Sequence, residues 1–374
     1  MASTAGIIIL TVVITVVILI IAFALITYLY LTSLVSQLVQ EYDANFAAFC
    51  TDLPPIGYSN AVYVPTTNGI YEKPLAKALL DIAFNTTRAN CTNLLPLPNP
   101  PGFDQQLRLE GHDPFGTGLN MFAYVFWNVA TCKACISFTG TSTLTEWLAN
   151  FSYTLTEATA LNGWMPGIQC HGGFYAIYLS IRDALFNWWN TARTYIKFLF
   201  ITGHSLGGGL STICAFDFAQ EFDGATTGIF PYHYSFGAPR AGNIAFAQTF
   251  NSRIPTSLRV GNTEDVIIAL PPSSWFGNIF EHTGQLMSFT VAGDSLAFDH
   301  VLAYFQDLPV CSQTAGCKIV PGPLPPNITY AKEFLRVSRI SDGRKANIDN
   351  SQTKEEDKPP NRNPNSLGKW HRNS

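Results

Sequence analysis

Between Phe198 and Phe222 the sequence leaves the backbone very little choice. Phe198-Leu199-Phe200-Ile201 is a short apolar run of the kind that fills a buried strand, and it breaks at Gly203-His204-Ser205-Leu206-Gly207. From Ser211 to Phe222 the pattern suits a helix, joined to the turn through Gly208 and Gly209. A strand must therefore reverse into a helix within one tight turn. Glycine at 203 and 207 allows this, because a missing Cβ lets the helix lie close to the strand. The serine at the apex is lifted clear of the sheet, above a helix N-terminus whose N–H groups favour negative charge.

In a chain with 28 glycines a G-x-S-x-G string alone is a weak signal. Its surroundings strengthen it. Lys73 to Arg88 reads as a helix with Leu75, Leu79, Leu80, Ile82 and Ala83 on one broad face. Asn93 to Gly118 is dense in Pro, Gly and Asn and reads as a surface loop. Met121–Trp127 and Ala134–Phe138 read as paired strands. Asn150 to Cys170 shows no clear period, and Gly172 to Arg193 is a long helix. Beyond the serine come strands at Tyr232–Phe236, Ser257–Gly261 and Leu286–Val291, with helices at Ile244–Phe250 and Phe298–Phe305. Strands and helices in alternation predict an α/β fold, a mostly parallel central sheet with helices on both faces.

The N-terminal part obeys a different rule. Ile7 to Leu31 carries no charge and is mostly Ile, Val and Leu, whereas about 20 such residues suffice to cross a bilayer. It is too long for the apolar core of a cleaved signal peptide and reads as a transmembrane signal anchor. The expected organisation is a short segment 1–6, the anchor 7–31, a stem and lead-in 32–72, a globular domain 73–337 and a disordered polar tail 338–374. Eight cysteines and sequons at Asn85, Asn90, Asn150 and Asn327 place the bulk of the chain on the lumenal or extracellular side. A net charge of −4 gives no reason to expect a nucleic-acid partner. Cys132-Lys133-Ala134-Cys135 has zinc-like spacing without a second pair or nearby histidines, so no metal is expected.

A serine nucleophile needs a base, and the base needs a carboxylate to fix its tautomer. Downstream of Ser205, Asp265 follows a predicted strand and His300 opens a predicted helix, the chain order Ser, Asp, His of an α/β-hydrolase. The alternative for Asp265 is a structural cap, a role Glu264 beside it could fill equally well, and His282 is the rival base, ahead of His233 and His371.

Six segments now bear on identity: FTGTSTLTEW from Phe138, HGGFYAIY from His171, ITGHSLGGGL from Ile201, YSFGAPRAGN from Tyr234, GNTEDVIIALPP from Gly261 and DHVLAYF from Asp299. In this order they resemble the class 3 lipases, the secreted fungal triacylglycerol lipases and feruloyl esterases with their animal and plant relatives. The resemblance runs over roughly residues 73 to 317. It implies an α/β-hydrolase fold, with Ser205 as nucleophile, Asp265 as orienting acid and His300 as general base. It also implies an oxyanion hole from the backbone N–H groups of Thr141 and Leu206, and a mobile apolar lid carrying Trp147, Leu148 and Phe151. Thr139 and Asn150 stand where the family commonly has an arginine and an acid, so the charge pairs that hold some lids are missing. The family's habit of clasping its N-terminal helix to a cysteine after the histidine implies a bridge at Cys311. Cys50 and Cys91 compete for the other end, and Cys317 is left for the loser.

The expected activity is that of a membrane-anchored serine lipase cleaving acylglycerol or phospholipid esters without a cofactor. Its partners would be the lipid substrate and the bilayer, with no obligate protein partner. The alternatives are an esterase for soluble aryl esters and a catalytically silent binding protein on a lipase scaffold.

Overall fold

The structure, a computed structural model, describes residues 15–23, 25–30, 33, 37, 58, 71–92, 97–112, 119–140, 154–221, 227–275, 277–293, 298–306 and 308. The chain divides into units Met1–Asn327 and Ile328–Ser374, and every described residue lies in the first.

Seven strands form the main sheet: β1 (Gln105–His112), β2 (Leu119–Asn128), β3 (Lys133–Phe138), β6 (Phe198–His204), β7 (Phe230–Phe236), β9 (Leu258–Asn262) and β12 (Gln285–Phe289), neighbours in that order. The first three pair antiparallel, and from β3 onward every pairing is parallel. A smaller antiparallel sheet contains β4 (Leu155–Glu157), β5 (Gln169–His171), β8 (Gly242–Asn243), β10 (Ser274–Trp275) and β11 (Asn278–Glu281). The helices are α1 (Lys73–Thr92), α2 (Gly172–Ala192), α3 (Leu206–Phe218), α4 (Ile244–Arg253) and the single turn α5 (Ala303–Gln306).

The inner parallel strands β6 and β9 are buried on both faces, as helical crossovers require, whereas the edge strand β12 is partly exposed. Alternation along β3 shows how the faces divide. The Ser137 and Thr86 hydroxyls, the latter on α1, lie 2.9 Å apart, while the Phe138 ring meets Tyr178 of α2 at 6.5 Å. Helix α3 is buried along its whole length, which explains its run of small residues. A Cβ on Gly209 would come within 2.7 Å of the Phe174 ring of α2. Helix α1 is buried from Ala78 to Ala89, and its threonines turn inward on their own backbone. Thr86 donates to Ile82 O at 2.9 Å and Thr87 to Ala83 O at 3.0 Å.

Four expectations need correction. The segment read as a loop from Asn93 to Gly118 contains β1, whose Leu109 and Gly111 are buried while Glu110 and His112 are exposed. The alternation was present, but flanking Pro and Gly residues masked it. Asn150–Cys170, which shows no period, includes β4 and the start of β5. The predicted helix Phe298–Phe305 opens as a π-helical turn, Phe298–Leu302, before α5. Asn85 is not a surface sequon: it is 7% exposed, and its amide donates to Asp81 O at 2.9 Å within α1. A glycan has no room there once the helix is packed.

Residues 15–23 and 25–30 of the expected anchor are helical, with apolar side chains exposed from 48% at Val16 to 73% at Phe23. Among the described residues no helix is long and apolar enough to cross a membrane. The span Ile7–Leu31 begins and ends outside the described residues, as does the whole of the tail 338–374.

Candidate active site

Strand β6 ends at His204 and α3 begins at Leu206, so Ser205 is the entire connection. Its backbone sits at φ 60°, ψ −126°, a conformation that costs a non-glycine residue about 1–3 kcal/mol. The turn is held from both sides: Ser205 N–H donates to Phe236 O at 2.9 Å, and Gly208 N–H donates to Ser205 O at 2.9 Å. A Cβ on Gly203 would run into the Gly207 carbonyl, and one on Gly207 would approach Phe138 O at 2.5 Å. Both glycines are therefore steric requirements of the crossing. Ser205 is 2% exposed, and among the described residues its hydroxyl has no hydrogen-bond partner.

Asp265 follows β9 and uses its two oxygens differently. Oδ1 accepts from Ile267 N–H at 2.9 Å, capping the short turn Val266–Ala269. Oδ2 accepts from His300 Nδ1 at 2.8 Å and from the Tyr304 hydroxyl at 2.8 Å. The cap and the histidine partner are thus one carboxylate. Asp265 and His300 side chains are fully buried, which strengthens their hydrogen bond by excluding water. Binding through Nδ1 leaves Nε2 as the ring nitrogen for proton exchange.

The segment bearing His300 is tied down at several points. Asn262, the last residue of β9, donates to Asp299 O at 3.0 Å and to Val291 O at 2.8 Å, while its Oδ1 accepts from Val291 N–H at 3.0 Å. Its own N–H donates to the Tyr304 hydroxyl at 3.1 Å. Burial and the Asp265 carboxylate push the Tyr304 phenol well above its ordinary pKa, so it stays a donor. Gly237, at φ +54°, passes under the group: a Cβ there would lie 3.1 Å from Asp265 Oδ2 and 3.1 Å from His300 Cε1.

The rival residues go elsewhere. His282 Nε2 bonds Ile268 O at 2.7 Å, and burial, with Arg259 and Arg240, drives its pKa well down. His233 sits between Ser211 and Ser257 hydroxyls at 3.1 and 2.7 Å and is pushed down by burial to about 3. Both are neutral core histidines. Glu264 bonds Thr263 Oγ1 at 3.5 Å, so the acid on His300 is Asp265 and not its neighbour.

Leu206 is the first residue of α3, and a first-turn N–H has no intrahelical acceptor. Thr141, Trp147, Leu148, Phe151, Asn150 and Asn327 lie outside the described residues, as do Cys50, Cys311, Cys317 and the side chains of Asn90 and Cys91. The approach to Thr141 is described: Gly140 N–H donates to Thr87 Oγ1 at 2.8 Å, and Thr139 is 1% exposed. Cys132, Cys135, Cys170 and Cys214 are free thiols. Among the described residues no three His, Cys, Asp or Glu side chains gather as a metal site.

The sequence reading did not single out Tyr304, Asn262, Thr87 or Gly237. Tyr304 carried a usable signal, a hydroxyl about one turn beyond His300. The other three act through backbone contacts, which residue type and spacing do not disclose.

Against known proteins, residues 135–275 match the family described as lipase (class 3). Phospholipase A(1) DAD1 of Arabidopsis thaliana is 35% identical over 154 residues, 36% of this chain and 33% of its own. Secreted mono- and diacylglycerol lipase 1 of Fusarium solani is 28% identical over 222 residues, 58% of this chain and 61% of its own. The chain thus spans between a third and about three-fifths of these relatives' lengths. Among solved structures, the Rhizomucor miehei lipase propeptide complex aligns with 73% of this chain and 95% of its own, at 19% identity and a TM-score of 0.46.

Proposed function

We propose that this chain, whose residues 135–275 match the lipase (class 3) family, is a serine hydrolase of acylglycerol or phospholipid esters. The observation that carries the proposal is the buried Asp265–His300 hydrogen bond, together with a strained serine elbow whose hydroxyl has no partner among the described residues.

In this mechanism His300 Nε2 takes the proton of Ser205 Oγ as the oxygen attacks the ester carbonyl carbon. The carbonyl oxygen becomes an oxyanion, facing the N–H groups of Leu206 and Thr141; losing one such donor costs about 3 kcal/mol of barrier. Collapse breaks the ester C–O bond, and His300 returns the proton to the leaving alcohol. Water, deprotonated by His300, then cleaves the acyl-enzyme and restores Ser205. Asp265 holds the imidazole in the tautomer that makes both transfers possible.

A lipid substrate is favoured by the exposed apolar helical residues from Val16 to Tyr30, which require an apolar environment. We assign Ile7–Leu31 as a membrane anchor, with residues 73–337 lumenal or extracellular and Trp147, Leu148 and Phe151 on a lid over Ser205. Alkaline carbonate extraction should leave the full chain in the membrane pellet and release a form lacking residues 1–31.

The decisive experiment is a lipid-class screen on wild type and Ser205→Ala, with soluble aryl esters alongside emulsions of di- and triacylglycerol and phospholipid. Turnover of lipid esters should fall by a factor of about 10³ or more in the variant. Undiminished turnover by folded Ser205→Ala would refute the assignment, and a preference for the aryl esters would restrict it to small substrates.

A further inference from the structure

We infer that His204, the residue immediately before the nucleophile, is a positioning residue that fixes the main chain of His300 and so sets the distance between base and serine. The inference rests on the reading of Ser205, Asp265 and His300 just given, and adds a fourth side chain to it. His204 Nε2 lies 2.7 Å from the carbonyl oxygen of His300 itself. A carbonyl only accepts, so that nitrogen carries a proton. His204 is 3% exposed, and burial, together with the neighbouring His300, drives its pKa well below the ordinary value. The ring is therefore neutral, with its single proton on Nε2.

The imidazole is wedged as well as bonded. Its centroid is 4.6 Å from the His300 ring on one side and 4.6 Å from Phe84 of α1 on another, with Tyr304 edge-on at 5.5 Å. A Cβ on Gly237 would come within 3.2 Å of Nε2, so the backbone passes close beneath the same group.

These contacts divide the work. Asp265 and Tyr304 govern the rotation of the His300 imidazole through Nδ1 and Oδ2. They do not by themselves fix where the His300 backbone stands relative to Ser205. Asn262 anchors the neighbouring Asp299 carbonyl to β9, and His204 adds the direct link, being covalently joined to Ser205 and hydrogen-bonded to His300. The loop from Ser205 through the His204 side chain to the His300 carbonyl is short and contains no part of Asp265. A satisfied core histidine would contribute stability alone; a positioning residue also controls turnover in protein that is fully folded.

The two roles separate in His204→Phe and His204→Gln, assayed for kcat and KM on a soluble p-nitrophenyl ester, with melting temperature and Ser205→Ala measured in parallel. Phenylalanine fills the wedge but removes the donor; glutamine restores an N–H that can reach the carbonyl. His204→Phe should lose about tenfold or more in kcat with KM nearly unchanged, and His204→Gln should recover most of it. A folded His204→Phe with wild-type kcat, or two variants equally impaired at equal melting temperature, would overturn the inference while leaving the triad intact. Turnover by Ser205→Ala would instead remove the triad and the inference with it. Should His204→Phe fail to fold, ¹⁵N spectra of the wild-type histidine rings at neutral pH decide. The Nε2–H tautomer is expected at His204, and an Nδ1–H tautomer or an imidazolium would overturn the proposal.

Discussion

Asp217 and Asp265 are both buried carboxylates with no side-chain exposure, and each takes a hydrogen bond from a tyrosine. Asp217, near the end of α3, receives Arg182 Nε and Nη2 at 2.7 and 3.2 Å, the Tyr178 hydroxyl at 2.8 Å and Asn162 N–H at 2.6 Å. Asp265 receives one backbone N–H, one phenol and one imidazole. The difference lies in the cation. Arg182 is permanently charged and grips both oxygens, so Asp217 is a clamp between α2, α3 and the turn at Asn162. His300 is an imidazole that meets only Oδ2 of Asp265, and in the proposed mechanism it passes a proton while the carboxylate holds its tautomer. Burial is common to both acids; what differs is the partner, a guanidinium on both oxygens of Asp217 and a single imidazole nitrogen on Oδ2 of Asp265.

The contrast predicts opposite failures. Asp265→Asn should cut kcat by about 10⁴-fold with the fold retained, because an amide cannot hold the histidine tautomer, and circular dichroism beside the ester assay reads both. Wild-type turnover in that variant would erase the distinction. Arg182→Ala should do the reverse, costing about 3–5 kcal/mol in urea unfolding by leaving Asp217 without its cation, while turnover by molecules that stay folded is unchanged. Tyr304→Phe removes a hydrogen bond to a charged oxygen, worth about 1.5–3 kcal/mol, and should lower kcat and stability together. It tests how far the active acid is also structural.

The smallest effect is a pH dependence. His171 and His233 are held neutral by burial, with folded pKa values pushed down to about 3 from 6.5. The unfolded chain therefore binds more protons below pH 6.5. Stability is complete above that value and falls as the pH drops from there toward the folded values, by at most about 1.4 kcal/mol per pH unit per histidine. Urea midpoints at pH 7, 6 and 5 should decline, and His233→Gln should flatten the slope. An unchanged slope would mean that these rings are accessible to protons in the folded state.

Legibility from sequence followed the same division. The elbow could be read because glycines 203 and 207 serve a local steric need, and the parallel strands because their apolar runs are bounded by turns. Asp265 and His300 were legible from their order and from their placement at element boundaries. Asp217 was not, since an acid inside an apolar helix gives no hint of Arg182, which lies on another helix. Strand β1 was hidden by its Pro- and Gly-rich flanks, and the π-helical turn at Phe298–Leu302 has no pattern distinct from an ordinary helix. Asn85 shows the converse: Asn-Thr-Thr carries a local signal for modification, but tertiary packing turns the amide inward and uses the Thr87 hydroxyl to accept from Gly140.

Gly237 has a consequence for anyone who would engineer this protein. Replacing glycine with alanine commonly stabilises a chain by reducing the freedom of its unfolded state. At Gly237 the backbone has φ +54°, and the added methyl would crowd Asp265, His300 and His204 at once. The usual gain is therefore not expected at this position. Gly237→Ala should lower the melting temperature instead of raising it, and a stabilisation campaign should leave this one glycine alone.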